Sequence, residues 1–227
     1  MLNLSQSAGK NSLFYLVGVY LGDGCVTRYG RGSYFKLNTI DYDFALATQD
    51  ALYKIIGRRP KIYTYPVKKS KKPNNQLSVC CKELCDYLQN ITNKKKRIPQ
   101  FIINAGKSNK LEFIAGLMDS EGYVALRKWN KKQWSGNQFI IGFKSTDYWV
   151  GDFKGILQSV GVIVTGDRKE KPRKSWYKIP RVLTLSLPSF IKSGCYFKIS
   201  RKQNRINTYI DAKKCRISLR DYMLDSQ

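Results

Sequence analysis

One nine-residue pattern occurs twice in this chain and constrains its fold more than any other feature. The first copy is Leu16-Val17-Gly18-Val19-Tyr20-Leu21-Gly22-Asp23-Gly24; the second is Ile114-Ala115-Gly116-Leu117-Met118-Asp119-Ser120-Glu121-Gly122. Small residues recur at the third and seventh places, an acid at the eighth and glycine at the ninth. The copies lie roughly one hundred residues apart, which is the spacing of a duplicated domain and not of a solenoid unit.

Each copy predicts an apolar helix. Gly18 and Gly22, like Gly116 and Ser120, fall at i and i+4 and share a face, so a second helix can approach closely there. Glycine inside a helix costs about 0.5–1 kcal/mol relative to alanine, and close packing offsets that cost. Asp23 and Glu121 then sit at C-terminal helix ends, where the dipole disfavours negative charge. Two such helices packed side by side would bring both acids to one end of the seam. Close carboxylates repel unless a proton or a metal lies between them. Hard divalent cations with oxygen ligands suit such a pair best.

The doubled motif resembles the LAGLIDADG homing endonucleases, in the single-chain form that carries two copies. The first copy departs from the family pattern with Leu21 at its sixth place, and the second with Glu121 in place of aspartate. Neither departure removes the metal-binding carboxylate. The resemblance implies an α+β fold of two pseudo-symmetric αββαββα units. Their antiparallel sheets would form a DNA-binding saddle around the two central motif helices. It also implies hydrolysis of both strands of duplex DNA with Mg²⁺ or Mn²⁺, Ca²⁺ being a non-catalytic substitute, and short 3′ overhangs. Asp23 and Glu121 are then the metal ligands, with the backbone carbonyls of Gly22 and Ser120 as further oxygens. The family often adds a lysine after the fourth strand. Lys82 takes that place in the first half, and Lys144 is the nearest substitute in the second. Two strand-cleaving sites of unequal chemistry are therefore expected.

Composition agrees. The net charge of +25 favours a polyanionic partner. No basic amphipathic helix is evident to lie on a membrane, and the apolar run Leu13–Leu21 is too short to span one. No signal peptide precedes that run, so a soluble intracellular protein is expected. There is no histidine, which removes the commonest general base and the histidine-metal nucleases. The six cysteines show no paired CxxC spacing, and they read as reduced thiols before a zinc site.

Along the chain, strands are expected at Gly24–Tyr29, Tyr34–Thr39, Lys61–Val67 and Gln76–Cys81, with helices at Asp43–Ile56 and Lys82–Ile91. A connector at about 93–108 separates a first unit, 1–96, from a second, 97–227. The second unit repeats the order: strands at Tyr123–Lys128, Gln138–Lys144, Val162–Arg168 and Trp176–Leu187, a helix at Asp147–Val160 capped by Asp147, and one from Pro188. The basic segment after Cys195 reads as partly helical. Asn11 or Ser12 is the expected cap of the first motif helix, and Asn109 or Lys110 leads into the second.

Strands expose alternate residues. Phe35 and Leu37 should face the helices, which turns Tyr34, Lys36 and Asn38 outward. Thr27, Tyr29 and Arg31 share a face in the first unit. Arg127, Gln138 and Lys144 are their counterparts in the second, where Phe139, Ile141 and Phe143 face in. Outward amides, cations and hydroxyls can bond base edges in the major groove. The Lys68–Lys72 run reads as a phosphate-contacting or solvated turn. A non-cleaving binder on the same scaffold, such as an intron maturase or a regulator, is the rival reading, and retention of both acids favours the enzyme. Without a leading nucleophile or a terminal asparagine the chain reads as free-standing and not intein-embedded. A monomer bound to duplex DNA is expected; intron RNA is not indicated.

Overall fold

The computed structural model describes residues 7–67, 72–131, 134–171 and 179–214. The first unit runs α1 (Ser7–Leu21), β1 (Cys25–Tyr29), β2 (Gly32–Thr39), α2 (Tyr42–Ile56), β3 (Ile62–Tyr65), β4 (Asn74–Cys80) and α3 (Lys82–Ile91). A short helix, α4 (Gln100–Ile103), follows. The second unit runs α5 (Lys107–Glu121), β5 (Gly122–Lys131), β6 (Trp134–Ser145), α6 (Val150–Ser159), β7 (Val164–Lys169), β8 (Arg181–Leu185) and α7 (Leu187–Lys192). A final helix, α8 (Ser200–Lys214), comes after the repeat. This is the expected α+β architecture. The sheets share one antiparallel topology, β1-β2-β4-β3 and β5-β6-β8-β7.

Alternation along the strands sets which sheet face is dry. In β2, Phe35 and Leu37 are fully buried, while Asn38 is exposed. Ile141 and Phe143 do the same in β6, and Phe139 packs against the core edge-on to Tyr209. Cross-strand partners point to the same side. Thr27 lies opposite Tyr34 and Tyr29 opposite Gly32, so Thr27 and Tyr29 share the outward face. Helices α2 and α3 cover the other face of the first sheet.

The two motif helices form the centre of one continuous core. Leu13–Val17, Val19–Leu21 and Phe113–Met118 are buried on all sides, as expected of helices that are apolar all round. Gly57 ends α2 with φ 71°, and its N–H bonds the Tyr53 carbonyl (2.8 Å), a left-handed cap that favours glycine.

Several boundaries differ from expectation. Helix α1 begins at Ser7, so Asn11 and Ser12 lie inside it, and Ser12 is buried rather than capping. Helix α5 likewise starts before Asn109. Helix α6 starts at Val150 and not at Asp147, because the Asp147 carboxylate accepts from the Ser145 hydroxyl (2.9 Å) and a turn intervenes. Residues 68–71, 172–178 and 215–227 lie outside the described residues. The core of the Lys68–Lys72 run, the start of the expected Trp176 strand and the end of the basic tail fall there. No described helix is long and apolar enough to cross a membrane.

Candidate metal and nucleic-acid site

Helices α1 and α5 pack side by side with their C-terminal ends together, and the small residues make that possible. A Cβ on Gly18 would lie 2.5 Å from the Phe113 carbonyl oxygen and 2.7 Å from the Leu117 nitrogen. On Gly116 it would strike the Tyr15 carbonyl, and on Gly22 the Ser120 Cβ. The seam is backbone against backbone.

This parallel contact gathers the acids where both dipoles are negative. Burial and the charges of Asp23 and Asp147 push the Glu121 carboxyl up to about 7. Asp23 reaches solvent, yet the protein around it raises its carboxyl above the usual range against the pull of Lys202 and Lys95. Glu121 also lines a cleft of about 390 Å³ with Ser120, Tyr123, Lys144 and Asp147. Asp147, expected only as a helix cap, is thus a third carboxylate near the second motif.

Two lysines that the sequence reading passed over close the helix ends. Lys95 Nζ donates to the Gly22 carbonyl (2.9 Å) and stands 5.3 Å from the Tyr20 ring centre. Lys202 Nζ donates to the Met118 carbonyl (3.0 Å) and to that of Asp119. Burial lowers both ammonium groups, Lys202 to about 8. Lys95 sits in a turn where Asn93, Lys94 and Lys95 all have positive φ, at 47°, 53° and 69°. Such backbone costs about 1–2 kcal/mol per residue. Thr92 holds the turn: its hydroxyl accepts from the Lys95 N–H (3.2 Å), and its carbonyl accepts from Lys96 and Arg97. The indole of buried Trp149, from the second unit, donates to the Lys95 carbonyl (3.1 Å).

Lys202 arrives on α8, whose start is pinned from both units. Buried Asp119 accepts from the N–H groups of Lys198 and Ile199 and from the Tyr15 hydroxyl (2.9 Å). Arg201 makes a two-pronged pair with Asp41 of the first unit (3.1 and 2.8 Å), and the Ser200 N–H meets Asp43. Asp119 stands at the sixth place of its motif, where the first copy has Leu21.

The expected lysines fare differently. Lys82 is exposed at the first turn of α3 and is not among the charges that shift Asp23 or Glu121; the turn after α3, not the end of β4, brings an ammonium to the first motif. Lys144 lines the cleft with Glu121 and pairs with Glu170 (2.9 Å). Each motif helix therefore ends on one lysine, while Lys144 and Asp147 stand beside the second motif only.

Oxygen donors fit a hard divalent cation. Magnesium is held by one or two carboxylates and keeps several waters, which is what Asp23 and Glu121 can offer. The Gly22 carbonyl, expected as a further ligand, accepts from Lys95. Ser120 donates its hydroxyl to the Gly116 carbonyl (3.2 Å). Among the described residues no group of three or more His, Cys, Asp or Glu side chains is arranged to hold a metal.

The outward face of the first sheet carries Thr27, Tyr29, Tyr34, Lys36 and Asn38 as expected, with Arg31 exposed at the β1–β2 turn. Register adds Gln76, Ser78, Tyr63 and Tyr65, which alternation along β3 and β4 could have supplied. In the second sheet Arg127 lies opposite Gln138; the side chains of both lie outside the described ones.

No protein-family model matches the chain. It is 30% identical over 210 residues to the probable translation initiation factor IF-2 of Methanocaldococcus jannaschii, a match covering 89% of the chain and 16% of that protein. It is 31% identical over 118 residues to the uncharacterized protein MJ0398 of the same organism, covering 51% of the chain and 40% of the relative. The chain thus spans less than half of either curated relative. Among solved structures, I-WcaI bound to its DNA recognition sequence superposes with TM-score 0.55 at 12% identity, covering 86% of each chain. I-DmoI in complex with DNA and Mn gives TM-score 0.52 at 16% identity, covering 87% of this chain and 97% of that one. A mesophilic variant of the homing endonuclease I-DmoI gives 0.53 at 18%, covering 82% and 94%.

Proposed function

We propose that this chain, which has the fold of the LAGLIDADG homing endonucleases, is a divalent-metal-dependent endonuclease that makes a double-strand break at a specific duplex DNA site. The observation that carries this reading is the common end of the α1–α5 seam. Two carboxylates with raised pKa values meet there beside the ammonium groups of half-buried Lys95 and buried Lys202, in a chain whose first sheet has an open face.

Asp23 and Glu121 would hold the cation, magnesium or manganese, with calcium as a substitute that supports binding but not cutting. When bound, the cation makes its water more acidic and stabilises charge on the attacking and leaving oxygens. The remaining work falls to the chain. The backbone seam fixes the separation of the two acids. Lys95 and Lys202 take the role expected of Lys82: each neutralises the carbonyl end of one motif helix and presents an N–H to a phosphate oxygen. Lys202 Nζ, lowered to about 8, holds its proton at neutral pH yet can release it near there, as proton relay requires. Lys144 steadies the cleft beside Glu121. The outward strand residues bond bases and the surrounding cations bond phosphates. The duplicated unit makes one chain sufficient, so it acts as a monomer on duplex DNA. The unit boundary falls near residues 96 and 97.

The deciding experiment incubates the full chain, Asp23→Asn and Glu121→Gln with a plasmid library and Mg²⁺. Cleavage with short 3′ overhangs by the parent, and loss of cleavage with retained binding in both variants, supports the reading. Binding without cutting by the parent supports the non-cleaving binder instead.

A further inference from the structure

The outward face of the first sheet is poor in charge for a chain of net +25. Among the side chains that its four strands turn outward, Lys36 is the single cation. Other cations of this unit lie elsewhere. Arg28 belongs to the helix side, opposite buried Ser33 and paired with Asp86 of α3 (3.3 Å). Arg31 is at the hairpin turn and Lys72 precedes β4. Among the described residues Arg31 and Lys72 thus stand at the rim of this face, at strand ends.

Inside the rim stand amides and phenols. Asn38 lies directly opposite Gln76, and Gln76 opposite Tyr63. Asn74 lies opposite Tyr65 and donates its amide to the Tyr65 hydroxyl (2.7 Å). Tyr29 is 81% exposed and Tyr63 59%. Rings left this open on a sheet face gain little from folding and are suited to being covered by a ligand.

The side-chain chemistry points to particular bases. Arginine and lysine read guanine through O6 and N7. Asparagine and glutamine read adenine through N6 and N7, and apolar surface reads the thymine methyl. Rim cations reach phosphates and carry no sequence information. We infer that the half of the target duplex lying against the first sheet is rich in A·T pairs, with Lys36 accounting for one G·C pair. Asn38 and Gln76 supply the adenine contacts, and Tyr29 and Tyr63 pack on thymine methyl groups. This rests on the duplex-DNA reading above and names the substrate class within it.

The test selects from a randomised duplex library with the full chain in Ca²⁺, so that bound sites are held uncut. Asn38→Arg, at an exposed site, and Gln76→Arg, at a half-buried one, are selected in parallel. One half-site should be A·T-rich, and each variant should turn one A·T pair of that half to G·C, with a preference change of about tenfold. A G·C-rich or unselective half overturns the inference, as does a half indifferent to both variants. Preferential capture of single strands, with the tyrosines acting as stacking platforms, overturns it too. Selective A·T binding by a chain that never cuts in Mg²⁺ removes the nuclease reading and leaves this one standing. Cutting at sites without that bias does the reverse.

Discussion

Gly18→Ala is the sharpest probe of the seam. The new Cβ would stand 2.5 Å from the Phe113 carbonyl oxygen, 2.7 Å from the Leu117 nitrogen and 3.1 Å from the Gly116 carbonyl carbon. All three are backbone atoms, so no side chain can swing aside. The nearest contact falls about 1 Å short of van der Waals separation, so α1 and α5 must part by about that much. Overpacking of this kind costs about 1–3 kcal/mol, and a rigid backbone clash puts it near the top. Alanine returns about 1 kcal/mol of helix propensity. The net loss is about 2 kcal/mol, or about 4–8 °C in Tm for a chain of this size. Gly155→Ala is the matched control: it lies within α6 and its Cβ would meet nothing within 4 Å. That change should stabilise by about 0.4–1 kcal/mol. Urea unfolding of both variants, with cleavage measured alongside, decides the matter. If Gly18→Ala proves as stable as Gly155→Ala, the seam is not in backbone contact and the placement of the acids loses its basis.

Glu121, raised to about 7, must lose its proton to bind a cation, so Mg²⁺ affinity should fall about tenfold per pH unit below that value; a Mg²⁺ titration from pH 6 to 8 shows it. The sign for folding is opposite. A carboxyl raised in the fold contributes most below its unfolded value of 4.5 and loses that contribution as pH climbs towards 7, so metal-free stability should decline over that window, and less so in Glu121→Gln. Lys95→Met and Lys202→Met should each slow cutting of one strand by about a hundredfold. Supercoiled plasmid would then accumulate as nicked circles in either variant to a greater extent than with the parent. Lys94→Gly removes strain at φ 53° and should raise stability by about 0.5–1 kcal/mol, the strain relieved less the added chain entropy; thermal unfolding reads it.

Much of this was legible in the primary structure because it follows from period and size. Gly18, Gly22 and Gly116 announce a close helix contact by what they lack, and Phe35 and Leu37 declare their face by alternation. The acids are visible because they oppose a dipole. Lys95 and Lys202 were not visible. Lys95 sits in the run Lys94-Lys95-Lys96, which reads as a solvated connector. Only the left-handed turn, held by Thr92 and by Trp149 from the other unit, aims it inward. Lys202 lies in a mostly polar helix whose packed stripe is Ile206, Tyr209 and Ile210, and a lysine one turn before that stripe reads as its solvated end. Its depth comes from distant partners: Asp119, Asp41 and Asp43 dock the helix that carries it. Lys82 takes its expected role from its place after the fourth strand, and sequence spacing does not distinguish that end from the turn that follows α3.

Each acid is answered by an ammonium that the other unit helps to place: Trp149 of the second unit holds the turn of Lys95, and Asp41 and Asp43 of the first dock the helix that carries Lys202. Neither copy of the repeat is therefore chemically self-sufficient, because each takes from its mate the contacts that aim its lysine. Cutting the chain between the two units would thus remove more than a tether: each half would keep its acid and lose the hold on the ammonium beside it.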